Sequence, residues 1–242
     1  MVSNVSFSYA ARPVLRGITW ELGQGVTVLL GPNGSGKSTL LGLIATQLGL
    51  TGGSITMGGL SWTAPSDLRA IRRSIGWVPQ SIDVDRAMRV HDFVSYSGWL
   101  RGLSTRDAGT AAHVALERVG LTSRQRDRIR TLSGGMQRRA LIAAGIVHSP
   151  SLLVLDEPTV GLDPRQRRSL NTLIKELGAD DVTVVLATHI SEDAESADRI
   201  GIISNGQLVA NDSPERLQVE FGSISQAYVD LVDDEPAEAT SA

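Results

Sequence analysis

Two periods alternate along this chain. Near its start, Val5, Phe7 and Tyr9 are interleaved with serines, and Ile18, Trp20 and Leu22 with Thr19 and Glu21. A period of two predicts strands of an antiparallel sheet with one covered face. Gly23-Gln24-Gly25 forms a turn into Val26–Leu30, whose apolar character on successive residues predicts a buried strand. Further strands are expected at Ser54–Met57 and Ile75–Val78, the latter ending at Pro79-Gln80. Ser151–Leu155 and Val182–Ala187 are continuous apolar runs, as a parallel strand covered on both faces requires. Ile200–Ile203 and Leu208–Ala210 flank Asn205-Gly206, a strong hairpin signal.

Helical spacing fills the intervals. A helix should follow Lys37 and end near Gly49, and another should start at Pro65-Ser66-Asp67. From about 82 to 148 strand signals vanish. Val90–Leu100 and Ala108–Val119 carry helical spacing through Phe93, Val94, Leu100, Val114, Leu116 and Val119, and a third helix runs from Gly134 to about His148. This stretch reads as a helical lobe inserted between strands of an α/β core. Beyond it, Asp163 and Pro164 are the cap and first residue of a helix over Pro164–Leu177. A short helix follows His189, and Ser213-Pro214-Glu215 opens another. Residues 233–242 are acidic and small and are expected to be disordered.

Composition narrows this picture. The chain has 242 residues, 41% of them hydrophobic, which supports one sizeable core with a subordinate lobe. A net charge of -3 gives no basic balance for nucleic acid or an anionic surface. Cysteine is absent, so disulfides and thiolate metal sites are excluded. No apolar run approaches the ~20 residues of a membrane helix, and Met1-Val2-Ser3-Asn4 lacks the features of a signal peptide. A cytoplasmic protein is expected, one that reaches a membrane only through a partner. Arg124, Arg126, Arg128 and Arg130, broken by Asp127, read as a solvated face in preference to a docking patch.

The chemistry begins at Gly31-Pro32-Asn33-Gly34-Ser35-Gly36-Lys37-Ser38-Thr39, which fits G-x-x-x-x-G-K-[ST] and lies between a strand and a helix. Its glycines let successive N–H groups point into one concavity, and the positive end of the following helix adds to that field. Lys37 would reach the β- and γ-phosphates, and the Ser38 hydroxyl would ligate Mg²⁺. A second element is Leu152-Leu153-Val154-Leu155-Asp156-Glu157-Pro158. Asp156 emerges at the carboxyl end of a buried strand, where ligands gather in open α/β sheets, and can hold Mg²⁺. Glu157 can orient and deprotonate the attacking water. A third element, Leu132-Ser133-Gly134-Gly135-Met136-Gln137, runs small residues directly into a helix. One triphosphate needs one cradle, so a second without its own lysine points to a site shared by two subunits.

Together these residues resemble the nucleotide-binding subunit of an ABC transporter, over about residues 5–217. Ser133-Gly134-Gly135 resembles the family signature, with Met136 where the usual pattern has Gln. The resemblance implies a P-loop NTPase core with a mostly parallel sheet, an N-terminal antiparallel β-subdomain and an inserted α-helical subdomain. It implies one ATPase domain over 1–232. It places Tyr9 where an aromatic stacks on adenine, and Gln80 at the glutamine hinge near Mg²⁺ and the attacking water. Gly161-Leu162-Asp163 resembles the loop that couples two sites, and His189 the histidine that contacts the γ-phosphate. Ser133, Gly134 and Gly135 then close over ATP held by the opposing subunit. His91, His113 and His148 have no such placement and are expected to be surface or packing residues.

The implied function is ATP hydrolysis in a cassette dimer that drives a separate permease. The look is that of bacterial exporter ATPases, supported by Pro158–Pro164 and by Ser223–Leu231, which resembles a terminal helix of that group. The alternative is a soluble ATPase of the same family, for example in cluster assembly. A degenerate scaffold is opposed by the intact Lys37, Asp156, Glu157 and His189.

Overall fold

The computed structural model describes residues 1–81, 84–180 and 182–233. Its first sheet is four-stranded and antiparallel, ordered β2-β1-β4-β5, with β1 Val2–Tyr9, β2 Arg12–Trp20, β4 Ser54–Met57 and β5 Leu60–Ser61. The second is six-stranded: β10 (Gln207–Asp212), β9 (Arg199–Ser204), β3 (Val26–Leu30), β8 (Thr183–Thr188), β7 (Leu152–Asp156) and β6 (Ile75–Val78). All neighbours in it are parallel except the hairpin strand β10.

The expected period of two in β1 is interrupted. Val2, Val5 and Phe7 are buried, with register shifts between them and Asn4 at φ 49°. The extra residue there is a bulge that returns Val2 to the covered face. Tyr9, expected to continue the stripe, is half exposed and meets Phe7 edge-on with ring centroids 5.0 Å apart.

The parallel strands are buried on both sides, as their apolar runs require. Val28, Leu30, Leu153, Leu155, Val184 and Leu186 point to one core. Leu29, Leu152, Val154, Val185 and Ala187 point to the other, which is shared with the first sheet and with α1 (Lys37–Ile44). Helix α1 stops five residues before the expected Gly49. Thr46 has φ 58°, and the Gln47 and Leu48 amides both donate to the Gly42 carbonyl, which closes the helix as a tight turn. Helix α2 (Leu68–Ser74) follows Asp67, but that carboxylate accepts from the Ser61 amide and is not a side-chain cap.

Between β6 and β7 lie α3 (Val90–Leu100), α4 (Thr105–Arg118) and α5 (Gly134–Ile146). The apolar face of α4 is Ala108, Ala112, Ala115 and Leu116; Val114 and, on α3, Leu100 point outward. Phe93, Val94, Leu116 and Val119 are buried as their spacing predicts, and small alanines fill the rest of the α4 face, where they let these helices approach closely. Helices α6 (Pro164–Ala179), α7 (Pro214–Phe221) and α8 (Ile224–Asp233) complete the chain. Helix α8 buries Ile224 and Ala227 and includes Asp233, where the expected tail began; residues 234–242 lie outside the described residues. Among the described residues, no helix is long and apolar enough to cross a membrane.

Candidate functional site

Strand order assembles the site. β8 lies between β3 and β7, with Leu30 beside Thr188 and Asp156 beside Ala187. The loop after β3, the carboxylates after β7 and His189 after β8 therefore leave one edge of the sheet together. They open onto a cavity of about 990 Å³, whose lining includes Tyr9, Asn33, Gly34, Gly36, Lys37, Ser38, Thr39, Gln80, Glu157 and His189.

The loop's conformation needs its glycines. Gly36 has φ 104°, and a Cβ there would come within 2.7 Å of Leu15. Gly31, Ser35 and Asp156 lie beneath the cavity surface, and Pro32 is half-buried; none of them lines it. The Ser35 hydroxyl is buried without a partner among the described residues. Lys37 is 4% exposed, and its Nζ donates to the carbonyl oxygens of Gly31 at 2.8 Å and Pro32 at 2.9 Å. Burial holds its pKa below the usual lysine value, opposed by the charges of Glu157 and Asp156.

The carboxylates are wired to the loop and to each other's neighbours. Ser38 Oγ donates to Asp156 Oδ1 at 3.1 Å. Burial raises the Asp156 pKa; the Ser38 hydrogen bond works against it, Glu157 adds to it, and Lys37 opposes it. Glu157 sits between three groups. Gln80 Nε2 donates to its Oε2 at 3.0 Å, His189 Nδ1 lies 3.3 Å from Oε1, and Lys37 Nζ lies 4.0 Å from Oε1. Its backbone is in the left-handed region at φ 47°, and its amide donates to the Ala187 carbonyl. A residue without glycine's freedom held there signals a position fixed by its surroundings.

The arrangement is a phosphate-sized cradle, a buried cation, and a carboxylate with both oxygens engaged at the rim. Family comparison agrees with that arrangement. The model of the family described as "ABC transporter" matches residues 15–160. This chain belongs to the ABC transporter family. It is 38% identical over 209 residues to the linearmycin resistance ATP-binding protein LnrL of Bacillus subtilis, covering 86% of this chain and 67% of that one. It is 36% identical over 218 residues to the Nod factor export ATP-binding protein I of Rhizobium meliloti, covering 89% of this chain and 64% of that one. The chain thus spans about two thirds of these relatives' length. The dimeric structure of a bacterial ABC transporter cassette superposes with a TM-score of 0.77 at 25% identity, over 88% of this chain and 97% of that one. As a member, this chain is an ABC ATPase cassette.

The signature residues stand apart from the cavity. Ser133 caps α5 by accepting from the Met136 amide at 3.3 Å, and Ser133 and Gly134 are exposed. Gln137 turns back to donate to the Leu132 carbonyl at 2.9 Å. A link does run from α5 to the site: Arg138 Nη1 donates to the Gln80 carbonyl at 3.1 Å. Asp163 accepts from the amides of Arg165 and Gln166, capping α6 behind Gly161.

Sequence reasoning missed one wall of the cavity. Arg12, Pro13, Val14 and Arg16 from β2, with Asn205, Gly206 and Val160, line it too. Arg12, Val14 and Arg16 alternate along β2, one strand ahead of the strand that leads into the phosphate loop, a period-two signal that was legible. Gly206 was not: it matters because its amide donates to the Ser35 carbonyl and its carbonyl accepts from Arg16, both tertiary contacts. The remaining histidines pack elsewhere. His91 and His113 rings lie 4.5 Å apart, and His148 bonds the Ile75 carbonyl.

Proposed function

We propose that this chain is the ATP-hydrolysing subunit of an exporter, held at the inner face of the cell membrane by a separate permease and working as a pair of cassettes. Residues 1–232 form one ATPase domain, with the helical lobe over about 82–148. The observation that carries the hydrolytic reading is Glu157, held within 4.0 Å of Gln80, His189 and Lys37 at the mouth of the phosphate cradle. Nod factor export and linearmycin resistance, in the names of two relatives, support the outward direction.

Binding follows from the loop. The loop Gly31–Thr39 takes the phosphates on its backbone amides, apart from Pro32, which has none, and Gly31, whose amide donates to the Thr188 carbonyl; the start of α1 adds to them, and Tyr9 at the far side of the cavity stacks on the base. Lys37 leaves the Gly31 and Pro32 carbonyls for phosphate oxygens. Ser38, Asp156 and Gln80 offer hard oxygen donors that fit Mg²⁺, an ion that keeps several waters and needs few protein ligands. When bound, Mg²⁺ neutralises charge across the β- and γ-phosphates. Glu157 aligns the attacking water and takes its proton, with Gln80 and His189 fixing its two oxygens. His189 contacts the γ-phosphate. Ser133, Gly134 and Gly135, the first two exposed and the third half-buried at the start of α5, close over the nucleotide of the second cassette. Loss of the γ-phosphate removes what joins them, and the pair opens.

The test is a pull-down of tagged Glu157→Gln chain with ATP from detergent-solubilised cells. A multi-span membrane protein in about equal amount is expected. Recovery of soluble proteins alone would overturn the transporter reading and leave a soluble ATPase.

A further inference from the structure

Behind the site lies a buried carboxylate that the reaction does not use directly. Asp193 is 2% exposed, in the short turn Ser191–Ala194 that follows His189. Its Oδ2 accepts from Thr159 Oγ1 at 2.5 Å and from Thr188 Oγ1 at 3.0 Å, and its Oδ1 accepts from Asn171 Nδ2 at 2.9 Å. Both threonines are fully buried. Among the described residues no Lys, Arg or His forms an ion pair with this carboxylate. A carboxylate buried without a counter-ion is costly unless its hydrogen bonds are complete, so each of the three donors is held in place by the need of the others.

The three donors come from three elements. Thr159 lies two residues after Glu157, and Thr188 directly precedes His189. Asn171 sits on α6. Thr188 Oγ1 also accepts from the Ile190 amide at 3.1 Å, so the backbone on both sides of His189 is tied in. On the outer side, Ser191 Oγ lies 2.8 Å from Ser225 Oγ on α8. Glu157 meanwhile keeps φ 47°, a conformation that persists only where the surroundings over-determine it.

We propose that Asp193 is a positioning residue for ATP hydrolysis: by gathering the Thr159 and Thr188 hydroxyls on one oxygen, it sets the spacing of Glu157 and His189. It does not line the cavity. The proposal rests on the hydrolytic reading above, and the experiment separates the two.

Thr159→Val removes one hydroxyl and keeps the side chain's shape, and Thr159→Ser restores the hydroxyl. Steady-state ATP hydrolysis by the full chain gives kcat and KM. The ring C–H resonance of His189, assigned through His189→Gln, reports its environment without turnover. For Thr159→Val, kcat falls roughly tenfold with KM within about twofold, the pattern of a group that acts only in the transition state. Thr159→Ser recovers most of the loss. The His189 resonance moves in the valine variant and returns in the serine variant. Asp193→Asn retains more activity than Asp193→Ala, because Asn171 can turn its amide and offer the Oδ1 that has no partner now. A parent-like kcat with an unmoved resonance overturns the proposal, as does a lower melting temperature with kcat intact below it. If the parent hydrolyses no ATP, the ATPase reading falls, and the resonance still decides whether Thr159 and His189 are coupled.

Discussion

Helices α1 and α5 begin alike and end up in opposite surroundings. Each starts directly after small residues, and neither has an acidic residue in its first turn. The start of α1 faces a cavity and carries a buried lysine with two carboxylates at hand. The start of α5 faces solvent, and its capping serine is satisfied by its own helix. One is half of a reaction centre with its charges already arranged. The other is an anion-binding end with nothing to bind on its own chain. In the proposed pair of cassettes the two ends would complete one site, and the difference between them teaches that the two halves should fail differently.

The largest effect is expected on the α1 side. Glu157→Gln keeps the shape and the Gln80 contact but removes the base. Hydrolysis should fall by about 10²–10³, a loss of roughly 3–4 kcal/mol of transition-state stabilisation, with ATP affinity nearly unchanged. Size-exclusion chromatography with ATP should show a dimer that persists. Equal loss of nucleotide binding would show that Glu157 is structural and blur the contrast between the two helices.

Ser133→Arg tests the α5 side directly. It places a long cation at the exposed start of the helix and removes a cap, which costs about 1 kcal/mol of stability. Hydrolysis should fall about 10–100-fold, and ATP binding to the monomer, followed by a fluorescent analogue, should stay within about twofold. A large fall in monomer affinity would put Ser133 in its own chain's cavity. Mixing this variant with Lys37→Ala sharpens the point. A mixed pair retains one intact composite site, so some activity should return.

The two helix starts also differ in how legible they were. Residues Gly31–Thr39 announce themselves because the backbone conformations they need, such as Gly36 at φ 104°, leave few residue choices. The end of β7 was equally readable, since four apolar residues followed by Asp156 can sit only in a buried strand. What could not be read was tertiary assembly. Nothing near Asn205-Gly206 shows that its hairpin seals the cradle through Ser35, and nothing in Ser191–Ala194 shows that Asp193 collects two distant hydroxyls. Val114 on α4 was misjudged for a related reason. Alanines that pack closely carry less hydrophobic signal than the exposed Val114, although with Leu116 they form the buried face.

The far end of α5 extends the comparison, because there the helix is anchored to the core. His148, two residues past its last turn, bonds the Ile75 carbonyl on β6, and its Nδ1 is buried without a partner among the described residues. Burial first, and the nearby Arg101 charge second, lower its pKa to about 4, against a smaller upward pull from the Ile75 bond. The folded protein therefore keeps this ring neutral where the unfolded chain protonates it. Stability from this group is complete above about pH 6.5 and drains away as pH falls toward about 4. With allowance for solvent screening, the loss is roughly 1–2 kcal/mol. Urea midpoints at pH 7 and pH 4.5 should differ less in His148→Gln than in the parent, and identical differences would remove His148 as the cause.

The smallest effect belongs to Tyr9, and it returns to the α1 cavity. Its ring is half exposed and meets Phe7 edge-on, so its removal should cost the fold little. If it stacks on the base, Tyr9→Ala should weaken ATP binding by about 3–10-fold, equal to roughly 0.5–1.5 kcal/mol, with kcat at saturation unchanged. Tyr9→Phe should bind as the parent does, because stacking uses the ring and not the hydroxyl. Triphosphate without a base supplies the control. Its affinity should be the same in parent and Tyr9→Ala, since Lys37 and the loop amides hold the phosphates in both. A fall in triphosphate affinity would mean instead that Tyr9 shapes the cradle through its neighbours Arg12 and Arg16. The cavity would then be a single unit, without separate base and phosphate ends.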